Sequence, residues 1–219
     1  NMEHVTPGTL REFLLWHEET GHNSGGLHAA YRTVKVFLRW YEQEAEPENW
    51  KNPIIQVKAP KVPTEPLEPV ELDDVSKLVK GCKNGCFMDL RDKAILLFLL
   101  DTGVRAREAL KVNLEDISLI SGEVTIRQGK GRKPRSVFLG KASRKALRAY
   151  LKTHKGGCNA LWITDDQERL TYGGLRGIIT RRSKQVGIPT PSLHSFRRAF
   201  AINMLRAGVD LVTLASTLT

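Results

Sequence analysis

At 219 residues and a formal net charge of +10, the chain is long enough for one large domain or for a small and a medium domain. Its longest apolar run, 94–100, is far too short to cross a bilayer, its first residues lack a basic-then-apolar signal pattern, and its three cysteines lack the spacing of paired metal ligands. These features argue against a membrane protein, a secreted protein and a zinc protein. They favour reduced thiols in a cytoplasmic protein.

The charge is distributed unevenly along the chain. Residues 1–75 contain 7 Lys/Arg against 13 Asp/Glu, whereas the remainder contains 27 against 11. No acidic residue occurs between Thr171 and Val209, where seven Lys/Arg are found. Such a one-signed segment is typical of proteins that bind a polyanion, so double-stranded DNA is the expected partner and a DNA-associated location is expected. A basic domain that acts only through protein contacts is the alternative.

The first 52 residues are predicted to form a small helical domain. Start signals at Thr6 and Pro7 precede a first apolar segment, and a 3.6-residue apolar period predicts a second helix over 27–46. Three cations lie on the flank of this second helix: Arg32, Lys35 and Arg39. A helical packing domain that binds little is the alternative interpretation.

Residues 53–69 are predicted to be a linker, because they contain five prolines and show no helical period. The second domain, 70–219, begins with a helix and continues into the segment 94–100, which is apolar on all sides and therefore predicts a buried helix ending at Gly103. Arg105 follows at once. A cation that emerges from a core in this way is costly unless it meets an anion.

Two short strands are predicted over 123–128 and 136–139, where apolar and polar residues alternate. They are joined by a glycine-containing connection that bears four cations: Lys130, Arg132, Lys133 and Arg135. The connection lacks the sequence context of a P-loop, so it is interpreted as a hairpin that reaches a polyanion. A helix over 142–152 and a short strand over 161–163 are predicted next. A basic amphipathic helix follows over 172–186, with Arg176, Arg181, Arg182 and Lys184 predicted to face outward.

The last motif places His194 and Arg197 three residues apart, on one face of a predicted helix. Apolar residues at helical spacing form the opposite face, and Pro191 and Ser192 supply start signals. An anion at this helix start would also meet free backbone N–H groups.

Three stretches, 101–110, 128–135 and 193–200, resemble in order and spacing the catalytic boxes of the tyrosine recombinase (phage integrase) family. The resemblance runs from about Leu72 to Thr219. Together with the predicted elements it implies a mainly α fold with a small antiparallel β-sheet (α+β), in which a helical core-binding domain, 1–52, and a catalytic domain, 70–219, clamp DNA. It also implies site-specific cleavage and rejoining of DNA through a 3′-phosphotyrosyl intermediate, by a tetramer in the complete protein, with no cofactor and no metal.

The residue types in these stretches suit phosphoryl transfer. Two guanidiniums, Arg105 and Arg197, can hold the non-bridging oxygens of a phosphodiester, and Lys130 can give a proton to the leaving 5′-oxygen. His194 can donate to the phosphate or accept the proton of the nucleophile. The resemblance implies that Glu108 orients Arg105. Further cations are predicted to contact DNA: Arg32, Lys35, Arg39, Arg107, Arg132, Lys133, Arg135, Arg181, Arg182 and Arg198.

The resemblance places the nucleophilic tyrosine in a helix after a Gly-His dipeptide, at a position that would follow Thr219. The four tyrosines of this sequence do not match that position: Tyr31, Tyr41, Tyr150 and Tyr172. We therefore expect a catalytic domain that is incomplete at its carboxyl terminus, and a chain that binds DNA without cleaving it.

The sequence departs from the family pattern at two positions. Arg107 replaces a small residue of the first box, and Arg198 replaces a histidine of the third. Neither change removes a proposed catalytic group. A non-catalytic DNA-binding regulator built on the same fold is the main alternative, and type IB topoisomerases share similar chemistry.

Overall fold

The computed structural model describes residues 2–62, 68–83, 85–127, 134–155 and 157–218, and the chain divides into two compact units, 1–66 and 67–219. Within these ranges the fold is mainly α-helical with one two-stranded antiparallel sheet, as predicted. Among the helices described, none combines the length and the apolar character needed to span a bilayer.

The first unit is built on two helices, α1 (Pro7–Glu19) and α2 (Ser24–Ala45). Thr6 caps α1, because its hydroxyl accepts a hydrogen bond from the Thr9 amide at 3.2 Å. The core of this unit consists of apolar side chains from both helices and from the segment that follows them: Leu10, Tyr31, Leu38, Ile54 and Val57.

The predicted linker differs from the structure in its first residues. Pro53–Gln56 form a short 3₁₀ helix, which is capped by the Asn52 side chain. Ile54 and Val57 are buried, and the Tyr31 hydroxyl donates to the Val57 carbonyl at 3.1 Å. The prediction of an extended strap is therefore wrong for these residues, because two apolar side chains anchor the proline-rich segment to the core. Residues 63–67 lie outside the described residues.

The second unit is organised around a long helix, α4 (Phe87–Thr102), most of whose surface is covered by other elements. Its helices are α3 (Leu72–Lys80), α4 (Phe87–Thr102), α5 (Ala106–Ala109), α6 (Lys141–Leu151), α7 (Tyr172–Val186), α8 (Leu193–Arg206) and α9 (Leu211–Leu218). Helices α6, α8 and α3 pack against α4. Most of the α4 surface is accordingly buried, including Ile95, Leu96, Phe98 and Leu99, whereas the stripe that contains Lys93, Leu97 and Leu100 is only partly buried.

The sheet pairs β1 (Glu123–Ile126) with β2 (Arg135–Phe138), and Ile126 lies opposite Arg135. Val124, Ile126 and Val137 turn toward the core, as the alternating pattern predicts. The connection that carries Lys130, Arg132 and Lys133 lies outside the described residues.

The predicted strand over 161–163 is wrong. Leu161, Trp162 and Ile163 are fully buried, but the described backbone around them forms only isolated bridges, between Asn113 and Ala160 and between Ile163 and Arg169. The apolar triplet fills the core beside α4 and α6 without a neighbouring strand to extend a ladder. Burial and strand formation are separate properties here.

Candidate active site

A glycine turn brings the first and third motifs together. Gly103 ends α4 in the left-handed conformation, with φ of 58°, and a Cβ at this position would lie 2.3 Å from Cδ1 of Phe200 on α8. The chain can therefore pass close to α8 and then present Arg105 at the start of α5. Arg197 of α8 reaches back and donates from Nη1 to the Gly103 carbonyl at 2.8 Å.

The two motifs share a cleft of about 350 Å³. Its lining consists of residues from the α4–α5 turn, α5, α7 and α8: Val104, Arg105, Ala106, Arg107, Tyr172, Leu193, His194 and Arg197. Three of the four residues predicted to be catalytic, Arg105, His194 and Arg197, thus lie around one cavity. The fourth, Lys130, lies outside the described residues.

Glu108 joins two guanidiniums behind the cleft. Its Oε1 accepts from Nη1 of Arg105 at 3.0 Å, and its Oε2 accepts from the Arg105 amide at 3.0 Å and from Nη2 of Arg135 at 2.7 Å. Burial by itself raises the pKa of Glu108, but the hydrogen bonds from Arg135 and Arg105 outweigh burial and hold the pKa below its ordinary value. The carboxylate is therefore ionised at neutral pH.

Arg197 is partly buried and is the second cation of the cleft. Besides Gly103, it donates to the Leu218 carbonyl in the last turn of α9. Burial lowers the pKa of its guanidinium, and the like charges of Arg105 and Arg135 lower it further against the opposing effect of Glu108. Three arginines and one carboxylate leave this described cluster with excess positive charge, which an anion in the cleft would offset.

His194 lies at the start of α8 and is exposed. Ser192 caps this helix, because its hydroxyl accepts from the Ser195 amide at 3.1 Å. The imidazole therefore sits beside a helix amino terminus, where the partial positive charge of the helix adds to that of the arginines. The prediction of the helix start and of its shared face with Arg197 agrees with the structure.

The remaining predicted DNA contacts fall in different environments. Arg107 is exposed at the cleft, with its guanidinium 5.9 Å from the centre of the Tyr172 ring. Arg198 is partly buried and donates to the Glu68 carbonyl at 3.3 Å. In the first unit, Arg32 and Arg39 are exposed on α2, and Lys35 lies 5.9 Å from the centre of the Tyr31 ring.

Arg182 corrects the prediction that all the cations of α7 face outward. It is 5% exposed, and it donates to Asp92 at 2.8 Å and to Asp89 at 2.6 Å. Burial lowers the pKa of its guanidinium, but these carboxylates outweigh burial and raise it above its ordinary value. Arg182 is a core residue that joins α7 to α4, and it is not available to DNA. Arg181 is exposed and is held by Asp92 at 2.8 Å.

Arg135 is the second correction. It was predicted to lie on a DNA-contacting finger, but its side chain is only 11% exposed and is directed at Glu108 and at the Thr217 carbonyl. The sequence held a signal for this orientation. Arg135 lies two residues before the buried Val137, and residues two apart on a strand share a face. Tyr172, which lines the cleft, was also missed as a site residue.

Known proteins of similar sequence support the family predicted from the three motifs. The model of the phage integrase family matches residues 69–219. The tyrosine recombinase XerA of Pyrococcus horikoshii is 30% identical over 204 residues, which cover 91% of this chain and 67% of that protein. The tyrosine recombinase XerD of Listeria innocua is 32% identical over 208 residues, covering 91% and 69%. The chain thus spans about two thirds of the length of these relatives.

Solved structures share the fold. The integrase of the Tn1549 transposon in complex with transposon right end DNA superposes with a TM-score of 0.83 at 17% identity, covering 100% of this chain and 78% of that one. The XerH site-specific recombinase bound to its difH substrate gives 0.75 at 20% identity, covering 100% and 65%. The family match over most of the chain and the identity to XerA and XerD show that the chain belongs to the phage integrase family of tyrosine recombinases.

Proposed function

We propose that the chain forms the phosphate-holding part of a site-specific recombinase that cleaves and rejoins duplex DNA through a 3′-phosphotyrosyl intermediate. The observation that carries the proposal is the cleft that Arg105, His194 and Arg197 share. Support also comes from the Tn1549 integrase and XerH, whose structures contain DNA. In the complete protein we expect a tetramer on DNA. A non-catalytic DNA-binding regulator on the same fold is the second candidate.

In this proposal the scissile phosphate enters the cleft, and Arg105 and Arg197 bind its non-bridging oxygens. Each donor that meets charge developing in the transition state contributes on the order of 3 kcal/mol. His194 donates to the same phosphate or takes the proton of the attacking hydroxyl, and Lys130 protonates the leaving 5′-oxygen. Further DNA contacts are assigned to the other predicted cations, of which Arg198 is partly buried: Arg32, Lys35, Arg39, Arg107, Arg132, Lys133, Arg181 and Arg198.

The proposal that this chain binds DNA without cleaving it can be tested at its four tyrosines. Tyr150 is fully buried, and burial raises the pKa of its hydroxyl to about 12. Tyr31 and Tyr41 belong to the first unit, and Tyr172 forms the cleft wall beneath Arg107. We expect no covalent protein–DNA adduct when the chain is incubated with a suicide substrate. An adduct on any of these residues would contradict this part of the proposal.

Orthovanadate distinguishes the recombinase from the regulator. Vanadate bonded to the 3′- and 5′-oxygens at the gap, with a solvent hydroxide in the place of the nucleophile, adopts the five-coordinate geometry of in-line phosphoryl transfer. A catalytic site binds that geometry more tightly than the ground state. We expect it to strengthen binding of the chain, by about 10-fold, to a duplex from which one backbone phosphate has been omitted, whereas sulfate should not. The measurement is fluorescence anisotropy at fixed ionic strength.

The variants Arg105→Gln and Arg197→Gln should remove the gain from vanadate. The matched control is Arg148→Gln, since Arg148 is an exposed cation on α6 that donates to the Leu119 carbonyl. It should retain the gain. Equal responses to vanadate and sulfate would favour the regulator, and equal affinities of all three variants would overturn the assignment of the cleft.

Arg107 and Tyr172 should act together in DNA binding. Arg107→Gln is expected to lower the slope of log affinity against log salt by about one, because one phosphate contact is lost. Tyr172→Leu removes the ring on which the guanidinium lies, so we expect a several-fold loss of affinity that disappears in the Arg107→Gln background. Tyr172→Phe keeps the ring and should bind like the wild type. Additive effects of the two substitutions in a double-mutant cycle would refute the pairing.

A further inference from the structure

Arg135 connects two parts of the catalytic unit that are distant in sequence. From the first residue of β2, its Nη2 donates to Oε2 of Glu108 at 2.7 Å, and its Nε donates to the Thr217 carbonyl at 3.0 Å. Its side chain is 11% exposed. The guanidinium is thus directed into the protein: Nε and Nη2 are bonded there, and Nη1 is buried without a hydrogen-bond partner among the described residues. This arrangement does not suit a residue that reaches a DNA backbone.

The contact with Glu108 bears on the orientation of Arg105. One oxygen of the Glu108 carboxylate accepts from the Arg105 side chain, and the other accepts from Arg135 and from the Arg105 amide. Without Arg135, the carboxylate could rotate to offer both oxygens to the Arg105 guanidinium, which would draw it away from a phosphate. Arg135 therefore holds Glu108 in the orientation that leaves Arg105 40% exposed toward the cleft.

The contact with Thr217 bears on α9. Two carbonyls of α9 accept hydrogen bonds from arginines in and behind the cleft, that of Leu218 from Arg197 and that of Thr217 from Arg135. The end of α9 is thereby fastened to the same cluster that presents Arg105.

We propose that Arg135 is a positioning residue, which holds Arg105 toward the phosphate through Glu108 and couples that orientation to the last turn of α9. The proposal rests on the proposed function in taking Arg105 as the phosphate ligand. Arginine is required because its planar fork sends Nε and Nη2 to two partners at once. A lysine keeps the charge but has a single ammonium group, so it cannot replace both donors in their present directions.

The test compares Arg135→Lys and Arg135→Gln with the control Arg144→Lys, whose wild-type arginine is partly buried on α6 and donates to the Ile120 carbonyl at 3.1 Å. Three properties are measured: the titration of the Glu108 carboxyl by ¹³C NMR, the hydrogen exchange of the amides near the end of α9, and the affinity for duplex DNA. The first two are measured without DNA.

Both Arg135 variants should titrate Glu108 at higher pH than the wild type. The charged groups that face this carboxylate are Arg105, Arg135 and Arg197, and burial alone raises its pKa. The ionised form of Glu108 contributes stability that is present above the ordinary carboxyl pKa and is lost as the pH falls through the lowered pKa of the folded state. Because the pKa of Glu108 should be higher in the variants, they should lose this stability at a higher pH than the wild type. Exchange at the end of α9 should rise about 10-fold and DNA affinity should fall about 5-fold in both variants, with Arg144→Lys unchanged.

Rescue by lysine decides the outcome. If Arg135→Lys keeps the wild-type titration of Glu108, the wild-type exchange of α9 and the wild-type affinity, Arg135 supplies only charge and the proposal is overturned. A normal DNA affinity of Arg105→Gln would instead overturn the proposed function, while altered titration and exchange in the Arg135 variants would still establish the link from Arg135 to Glu108 and α9. The lysine variant retains the charge and most of the volume of arginine, so it carries the test if Arg135→Gln fails to fold.

Discussion

Replacing Asp92 by alanine is expected to lower the free energy of unfolding by about 3–5 kcal/mol, because it leaves buried cations without their main counter-charge. Asp92 is completely buried on α4. It accepts from three arginines: Arg91 at 2.8 and 3.0 Å, Arg181 at 2.8 Å and Arg182 at 2.8 Å. Arg91 and Arg182 are themselves buried, at 5% exposure each. Among the described residues, Arg91 would keep the Ile163 carbonyl and the Phe87 ring, and Arg182 would keep Asp89 and Gln185.

Chemical denaturation at neutral pH measures this effect. The control is Asp74→Ala on α3, which breaks an exposed pair with Lys77 and should cost less than about 1 kcal/mol. Arg181→Gln, in turn, removes the exposed member of the cluster and should change stability little. Similar losses for Asp92→Ala and Asp74→Ala would show that the buried cluster is no more important than a surface pair.

The same cluster explains why the orientation of α7 was only partly predictable. The bounds of α7 follow from local signals, because Thr171 caps its start and Gly187 ends it in the left-handed conformation. Which cations face inward depends on Asp89 and Asp92, about ninety residues earlier in the chain. The charge distribution along the sequence therefore counts Arg182 among the cations that could bind DNA. Only the packing of α7 on α4 shows that its charge is already matched.

The candidate site was predictable where a motif fixes its own backbone. Gly103 and the helical spacing of His194 and Arg197 position three of the cleft residues, and the structure brings them together. Arg135 was misassigned because it was grouped with the hairpin cations rather than with the inward face of β2. Its partners, Glu108 and Thr217, come from remote elements, so their identity depends on tertiary structure.

The predictions for two short segments, the start of the linker and residues 161–163, were wrong for a related reason. The proline-rich start of the linker forms a short helix because the side chains of Ile54 and Val57 are buried in the core of the first unit. Residues 161–163 are buried without pairing in a sheet. In both cases the local composition, proline-rich or apolar, does not by itself determine the backbone conformation. The surroundings that decide between an extended chain and a packed one are supplied by other parts of the fold.

Gly103→Ala is expected to lower the free energy of unfolding by about 3 kcal/mol, from two causes. An alanine in the left-handed conformation costs about 1–2 kcal/mol, and the wild-type φ is 58°. Its Cβ would also lie 2.3 to 3.0 Å from three ring atoms of Phe200, a buried residue that cannot move without disturbing α8. Forcing an extra carbon into such a packed position typically costs a further 1–3 kcal/mol.

Gly187→Ala is the matched control for Gly103→Ala. Gly187 also ends a helix in the left-handed conformation, with φ of 69°, but among the described residues nothing lies within 4 Å of a Cβ placed there. It should therefore lose only the backbone contribution of about 1–2 kcal/mol, and the difference between the two variants isolates the contact with Phe200. Equal losses in chemical denaturation would contradict the close approach of the α4–α5 turn to α8.

The consequence of Gly103→Ala for the site follows from the bond between Arg197 and the Gly103 carbonyl. If the turn moves away from α8 to admit the methyl group, Arg197 and Arg105 separate. DNA affinity should then fall in Gly103→Ala under conditions where the variant is still folded, and it should stay normal in Gly187→Ala. Phe200→Leu, introduced into Gly103→Ala, makes room beside the turn and should recover part of both losses. A loss of stability without any loss of affinity would mean that the turn supports the core but does not set the spacing of the two arginines.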